Sequence, residues 1–349
     1  LSGSRDVSVE LLRVVSARLA GIILVLFGTS LLIFGIARII PGDPARIALG
    51  PEASQEQVQM LRERLHLDEP FGAQYIEFLK DLSMGDLGTS LYTQRPVVQD
   101  ISTALPATFE LVFAAGLLVL LLGIPMGVLS AHWRDRAGDH VIRLVALLGV
   151  VTPSFVWAVL LMLTFAYFTE ILPAAGRLSQ SVSPAPLVTG MYTLDAAIAG
   201  RWDILKDALL HLILPAVALA MSGIGQIARL TRASVAEIYQ ATYIDMARAY
   251  GFAPRRIAMK YALRPALIPT LTVFGLDFAN MLGGAFLIEH VFGWPGLARY
   301  GVQAILHKDL NAIVGVVLVI SAFFLIVNAI VDMAAAWINP RIRLSGPAV

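Results

Sequence analysis

Six apolar runs, each near the length a helix needs to cross a hydrocarbon layer, constrain this 349-residue chain more than any other feature. A bilayer core takes about 20 residues of helix, because backbone groups left unpaired in lipid cost several kcal/mol each. The runs are 19–37, 111–131, 144–169, 208–228, 265–288 and 310–331. Composition agrees with that count. The chain is 57% hydrophobic and 15% charged, whereas soluble chains carry about 25% charged residues, so a soluble fold is excluded, and a disordered one with it. Pro125 and Pro153 are no objection inside spans, where neighbouring helices satisfy the freed carbonyls. Segment 182–200 carries Pro184, Pro186, Gly190 and Asp195 and reads as an extramembrane loop with room for a re-entrant or interfacial piece. Run 19–37 is too long for a signal-peptide core and is followed by no small-residue cleavage site, so it is expected to stay in the chain. The expected fold is an all-α polytopic membrane protein with six transmembrane helices.

Six spans put both termini on one side, and basic residues say which. The arm 1–18, the turn 132–140, the loop 229–264 and the tail after Trp337 hold 14 Lys and Arg, and the longer segments on the other face hold 11. Basic density is roughly twofold higher on the first face, which the positive-inside rule assigns to the cytoplasm. With no Cys there is no disulfide, thiolate nucleophile or cysteine-ligated metal. The net charge of +1 excludes a strongly polyanionic partner.

The external segment 38–106 is too long for a turn. Pro41, Gly42, Asp43 and Pro44 force a sharp exit from the first span. Ser54, Gln55, Glu56 and Gln57 read as a capping box opening a short helix with Val58, Leu61 and Leu65 on one face. A second short helix follows Pro70, carrying Tyr75, Phe78 and Leu79, and Gly85–Gly88 ends it. This segment suits a cap on the bundle and, compatibly, a docking surface for an external partner. Trp294 and Tyr300, between spans five and six, read as interface anchors.

The loop 229–264 is the most organised of the charged segments. Residues 241–250 form helix readily and place Ile244, Ala247 and Tyr250 on one side. Gly251 supplies a left-handed stop, and Pro254 suits the first turn of a second short helix over 255–263. Two short helices at an angle, with small residues and arginines, make a docking knob for a soluble protein. Attraction to anionic lipid would explain the arginines but not helix, Gly, Pro, helix with Ala247 and Ala249 flanking a close-approach surface.

Asp245, Met246 and Ala247, followed by Gly251 and the run from Tyr261 to Pro269, resemble the coupling loop of permease subunits of ABC importers, in the dipeptide, oligopeptide and nickel branch. Asp245 stands where the family has Glu, and Arg264 where it has Pro. In order along the chain, Ile40–Ala45, Gly85–Ser90, Pro106–Leu111, Val291–Gly296 and Asn339–Arg343 also resemble that branch, and the long first external loop is similar to its B-type, dipeptide or D,D-dipeptide, subunits. The resemblance implies a type I importer permease: an arm 1–18, a first helix 19–37, an external loop 38–106, a core domain 107–334 of five spans and a tail 335–349. It implies a coupling loop in which Ala241, Ile244, Asp245, Ala247, Arg248, Ala249, Gly251, Arg255 and Arg256 meet an ATPase. It also implies a second permease subunit in a heterodimer, two cytoplasmic ATPases that bind ATP and Mg, a solute-binding protein, and residence in the bacterial inner membrane. The expected activity is ATP-driven import of di- or oligopeptides, with nickel chelate or glutathione as alternatives within the branch. This chain has no phosphate-loop motif, so it is expected to bind no cofactor and to be no enzyme.

Polar residues inside spans are the remaining signal. A central Asp costs about 3 kcal/mol on the insertion scale, so Asp277 should face protein or a water-filled path. Asp277 and Asn280 either line the translocation route, where the carboxylate meets a substrate ammonium, or make interhelical hydrogen bonds. Asn328 and Asp332 lie four apart on span six and suit packing. Gly283 and Gly284 permit close helix approach, and His211 reads as a buried, satisfied histidine. A proton-coupled secondary transporter with Asp277 as carrier is the rival class, but it calls for internal repeats that this sequence does not show. An intramembrane enzyme would need a nucleophile–base pair or metal ligands.

Overall fold

The computed structural model describes residues 20–36, 44–50, 52–64 and 68–338. The predicted arm 1–18, the turn residues Pro41, Gly42 and Asp43, and the segment Asn339–Arg343 lie outside the described residues. Among the described residues regular structure is helical, apart from one isolated bridge between Thr89 and Pro96. The helices are α1 (Ala20–Ile36), α2 (Pro44–Leu49), α3 (Gln55–Arg64), α4 (Phe71–Ser83), α5 (Val97–His132), α6 (Ala137–Val151) and α7 (Ser154–Phe168). They continue as α8 (Tyr192–Ile198), α9 (Trp202–Ile238), α10 (Thr242–Ala249), α11 (Pro254–Val291), α12 (Leu297–Leu306) and α13 (Leu310–Ile338). Four of them, α5, α9, α11 and α13, are long and apolar enough to cross a membrane singly. The bent pair α6–α7 and the shorter apolar helix α1 account for the remaining two predicted spans.

The chain forms two compact units. The first comprises Leu1–Leu105 and Leu297–Ile326, the second Pro106–Gly296 and Val327–Val349.

In the first unit the two predicted short helices are present. The Gln57 amide donates to Ser54 Oγ at 3.2 Å and the Ser54 amide to Gln57 Oε1 at 2.9 Å, the reciprocal capping box. Helix α4 lays an aromatic face on α1: Phe34 has ring centroids of Phe71, Tyr75 and Phe78 at 5.5, 5.4 and 5.3 Å, and the Tyr75 hydroxyl meets Ser30 Oγ at 2.9 Å. A second core gathers Val97, Ile101, Leu297, Ala304, Ala312 and Val316. Asp309, fully buried, caps α13 by accepting from the Ala312 amide at 3.2 Å. Its other oxygen takes the Ser90 hydroxyl at 2.5 Å and the Tyr92 amide at 3.1 Å. The segment Gly85–Ser90 is therefore a clasp. Gly88, at φ +78°, has no room for a side chain because Asn311 occupies that space.

In the second unit α9 is the axis. Two thirds of its apolar window is buried within the chain, 67% against 33% for α11, and α5, α6, α7, α8 and α11 all pack on it. The contacts are made by small residues, the usual device where no hydrophobic driving force separates helix from lipid. A Cβ on Gly149 would lie 2.6 Å from the Met221 carbonyl of α9, and one on Gly225 of α9 would lie 2.3 Å from the Ala146 carbonyl of α6. The two backbones touch through reciprocal glycines.

The structure corrects several expectations. Run 144–169 is not one straight helix: α6 and α7 meet at 107°. Pro153 offers no N–H and disfavours helical geometry at the residue before it, and Thr152 is extended at φ −82°, ψ 123°. Pro125, by contrast, sits in unbroken helix behind a π-helical turn over Val119–Gly123. Helix α5 starts at Val97, well before the run at 111. The expected separate helix over 255–263 is the beginning of α11, continuous with the fifth span through a π-helical turn, Ile257–Ala262. Segment 182–200 holds no spanning helix, only α8 in a loop, as expected.

Candidate functional site

Helix α10 is built as the sequence foretold at its ends and differently on its faces. Gly251, at φ +75°, donates to the Arg248 carbonyl at 2.9 Å, and the Phe252 amide donates to the Ala247 carbonyl at 3.1 Å. That pair of bonds is a full Schellman stop, which satisfies the last carbonyls and turns the chain sharply. Ile244 and Ala247 are buried and pack with Ile257 of α11, with Ile238, Tyr239, Phe252 and Tyr261 around them. Phe252 stacks on Tyr261 at 5.6 Å, and the Arg256 guanidinium lies 4.9 Å above Phe252. Tyr250 does not share the side of Ile244 and Ala247: it is 76% exposed. A helix of eight residues with its last turn closed at Tyr250 swings that ring outward. The free face is Tyr243, Met246 and Tyr250, with Asp245 and Arg248 paired at 3.0 Å beside it. Ala249, Arg255 and Arg256 are also exposed, and Ala241 is half-buried. Ala247 braces the knob from within and forms no part of its outer surface.

Near the start of α9, a polar network that the sequence did not announce holds the loop 170–201. Arg177 and Glu110 are both nearly fully buried. Arg177 donates to Glu110 Oε2 through Nε at 3.2 Å and Nη2 at 2.5 Å, and to the Gly190 carbonyl at 2.9 Å. The Thr193 amide and hydroxyl fill Glu110 Oε1 at 2.6 and 2.7 Å. The guanidinium lies 3.7 Å from the Tyr192 ring centroid and 5.7 Å from that of Trp294. Asp195 accepts from the Thr189 amide and hydroxyl and from the Gly190 amide. Burial pushes its carboxyl up, and those bonds outweigh burial and hold it below the ordinary range. Trp294 is not an interface anchor: it is 1% exposed, and its indole N–H donates to the Ala107 carbonyl at 2.8 Å. The neighbouring Gly296 sits against the buried Glu289 carboxylate, which takes the Thr108 hydroxyl at 2.5 Å. Tyr300 is half-buried in the other unit, with a buried hydroxyl, so it is no exposed anchor either.

Twenty-five residues on from Asp207, about 37 Å along α9, Arg232 grips the fully buried Asp139 with two bonds of 2.8 Å. Ser130 Oγ and the Asp135 amide complete the carboxylate's shell at 2.5 and 3.1 Å. This lock joins the end of α5, the turn after it, α6 and the last third of α9, just before α10. The signal for both networks was a single charged residue at the edge of an apolar run, Glu110 or Asp139, but nothing local names the partner.

Asp277 lies between these ends on α11. Its Oδ1 accepts from Gln226 Nε2 of α9 at 3.3 Å, and its Oδ2 is buried with no donor among the described residues. One of the two expected uses, the interhelical hydrogen bond, is therefore present. Asn280 is exposed, and a Cβ at Gly283 or Gly284 meets nothing within 4 Å, so no close approach uses those glycines among the described residues. Asn328 Oδ1 is buried with no partner among the described residues, and the Asp332 side chain lies outside them. His211 is buried and satisfied, with Nδ1 at 2.8 Å from the Asp207 carbonyl.

Residues 123–344, which contain α10, its Gly251 stop and Asp277, match the family model of the binding-protein-dependent transport system inner membrane component. Residues 11–112 match the model of the N-terminal part of the same membrane components. The chain belongs to this family. Among its relatives, the "Probable D,D-dipeptide transport system permease protein DdpB" of Escherichia coli is 43% identical over 326 residues, 93% of this chain and 96% of that one. The dipeptide transport system permease protein DppB of Alkalihalophilus pseudofirmus is 40% identical over 93% of this chain and 98% of its own length. The glutathione transport system permease protein GsiC of Pectobacterium atrosepticum is 36% identical over 93% and 97%. The chain is thus a multi-pass inner-membrane transport component.

Proposed function

We propose that this permease is one half of the transmembrane pathway of an ATP-driven importer of short peptides, with both termini in the cytoplasm. The observation that carries the coupling half of this reading is α10: a short helix stopped at both ends, braced from within by Ile244, Ala247 and Ile257, and offering Tyr243, Met246 and Tyr250 outward. A brace of that kind transmits force, because the knob cannot move without α9 and the start of α11. Two cytoplasmic ATPases would each receive one such knob, and ATP and Mg would bind there and not on this chain. The Asp139–Arg232 lock, between α10 and the rest of the bundle, would carry the displacement into α5 and α6.

A second permease subunit would fit the face of α11 that the described residues leave open. Leu276, Asn280, Gly283 and Leu287, at helical spacing, are all uncovered. A stripe with a polar residue and a glycine suits another helix better than lipid. Asp277 would lie beside the route, and the half-satisfied carboxylate would meet a peptide ammonium as it passes. A solute-binding protein would deliver the peptide at the end held by the Arg177 network. The similarity to dipeptide and D,D-dipeptide permeases supports the peptide class.

The experiment is uptake of labelled dipeptide by vesicles holding the assembled complex. Uptake should require ATP inside and binding protein outside. Asp277→Asn should lower uptake at least tenfold while assembly and stimulated ATPase activity persist. Uptake without ATP, or in the chain alone, would contradict the reading. Loss of assembly in Asp277→Asn would assign that carboxylate to packing.

A further inference from the structure

The loop 170–201 buries ions and leaves a cluster of aliphatic side chains exposed. Arg177, Glu110 and Asp195 are buried and fully engaged, beside a small apolar core of Ala185, Ala196 and Ile204. Beside the exposed Gln180, Ser181 and Ser183, its outer surface carries an apolar patch. Leu187 and Val188 at the tip are 64% and 72% exposed, Leu194 and Ile198, one turn apart on α8, 44% and 60%, and Trp202, the first residue of α9, 69%. A segment that spends its buried volume on ions and leaves its aliphatic side chains outside is ordered for an apolar surrounding.

The position of the loop says which. It packs on the first turns of α9: Ile204 is buried with Ala185 and Ala196, and the Ser179 amide and hydroxyl each donate to Asp207 at 2.7 Å. The apolar run of α9 starts at Ala208, so Trp202 and the docked α8 stand within about 9 Å of the hydrocarbon edge. Helix α7, which leads into the loop, ends in Tyr167 and Phe168, 71% and 74% exposed. Aromatic side chains at the ends of spans mark the headgroup layer. The patch therefore lies in sequence between the exposed apolar end of α7 and the exposed apolar start of α9. Arg201 and Asp203, exposed and paired at 2.8 Å, flank it as headgroup-level charges do.

We propose that α8 and the loop tip form a monotopic element, seated in the outer interface with Leu187, Val188, Leu194, Ile198 and Trp202 against acyl chains. The apolar side of such elements enters about 5–10 Å below the headgroups. The Arg177–Glu110 network is the fastening that keeps this face toward lipid. The inference depends on the chain's membrane residence and not on the solute or the energy source, so it stands or falls apart from the transport reading.

The sequence contains no Cys, so single nitroxide labels are specific without further substitution. Full-length protein with Val188→Cys, Leu194→Cys or Ile198→Cys is labelled and reconstituted in phosphatidylcholine–phosphatidylglycerol vesicles, alone and with co-purified partner chains. Each label should collide with oxygen severalfold more than with a nickel chelate, and the ratio should invert at Gln180→Cys, exposed on the same loop. The unlabelled protein gives an independent reading: brominated phosphatidylcholine should quench part of the Trp emission, and Trp202→Phe should remove a measurable share of that quenching. Labels accessible to nickel, with no quenching of Trp202, overturn the proposal in favour of an aqueous loop. Labels shielded from both reagents only when partner chains are present overturn it in favour of a protein-docking face.

Discussion

Arg177 and Glu110 form a pair in which each charge has almost no contact with solvent. Removing one partner leaves the other buried and unpaired, which costs about 3–5 kcal/mol. Arg177→Met should therefore release the loop 170–201, read as new protease cleavage between Glu170 and Arg201 in intact membranes. Replacing both residues with apolar ones of similar volume should restore protection in large part. Asp195 adds a pH dependence. Its folded carboxyl is held below the ordinary range, so its contribution is complete above about pH 4 and is lost as pH falls through the depressed folded value. Protection of the loop in wild-type protein should therefore persist at pH 5 and fail only at lower pH. Asp195→Asn should weaken protection at neutral pH and flatten that acid dependence. Asp309 and Ser90 are a comparable buried contact in the other unit, where Asp309 is both cap and clasp.

At the scale of elements, the apolar runs reported the helices because lipid imposes length and leaves no alternative to helix. What composition could not report is which proline breaks one. Ile124, before Pro125, stays helical at φ −64°, ψ −52°, whereas Thr152, before Pro153, is extended. The difference lies in packing, since α6 is pinned to α9 through Gly149 and Gly225, and α7 must leave in a new direction. Gly225→Leu would drive a side chain into the Ala146 carbonyl. It should separate α6 from α9 and cost about 3 kcal/mol or more, read as loss of full-length protein from the membrane or a lowered unfolding temperature in detergent. The end of α10 and the start of α11 were legible, because Gly251 and Pro254 carry their geometry with them. Its faces were not: Tyr250 follows the periodicity of Ile244 and Ala247 only while the helix continues, and the Schellman turn ends it there. Trp294 misled for a different reason. A lone aromatic beside a span suits the interface, and only the distant Ala107 carbonyl makes it a buried plug.

For the whole molecule, α9 connects two polar fastenings: Asp207 with Ser179 of the loop that Arg177 and Glu110 hold, near its start, and Arg232 with Asp139, about 37 Å further along the helix. Between them the helix contacts are made largely by small residues, with two polar side-chain bonds to α11 among the described residues, Asp277–Gln226 and Thr231–Thr270. A bundle fixed at both ends and smooth in the middle suits a subunit that must move as a body when pushed at one end. That is the work the account assigns to α10. Cross-linking measures it most directly, in a chain with no cysteine of its own. With Tyr250→Cys or Met246→Cys in membranes holding the complete transporter, a short bifunctional maleimide–amine reagent should join this chain to an ATPase subunit, in a yield that changes with ATP. Ala247→Cys, facing the inner brace, should give no such product. Absence of the ATPase adduct at both Tyr250 and Met246, in membranes that still take up peptide on ATP, would contradict the account.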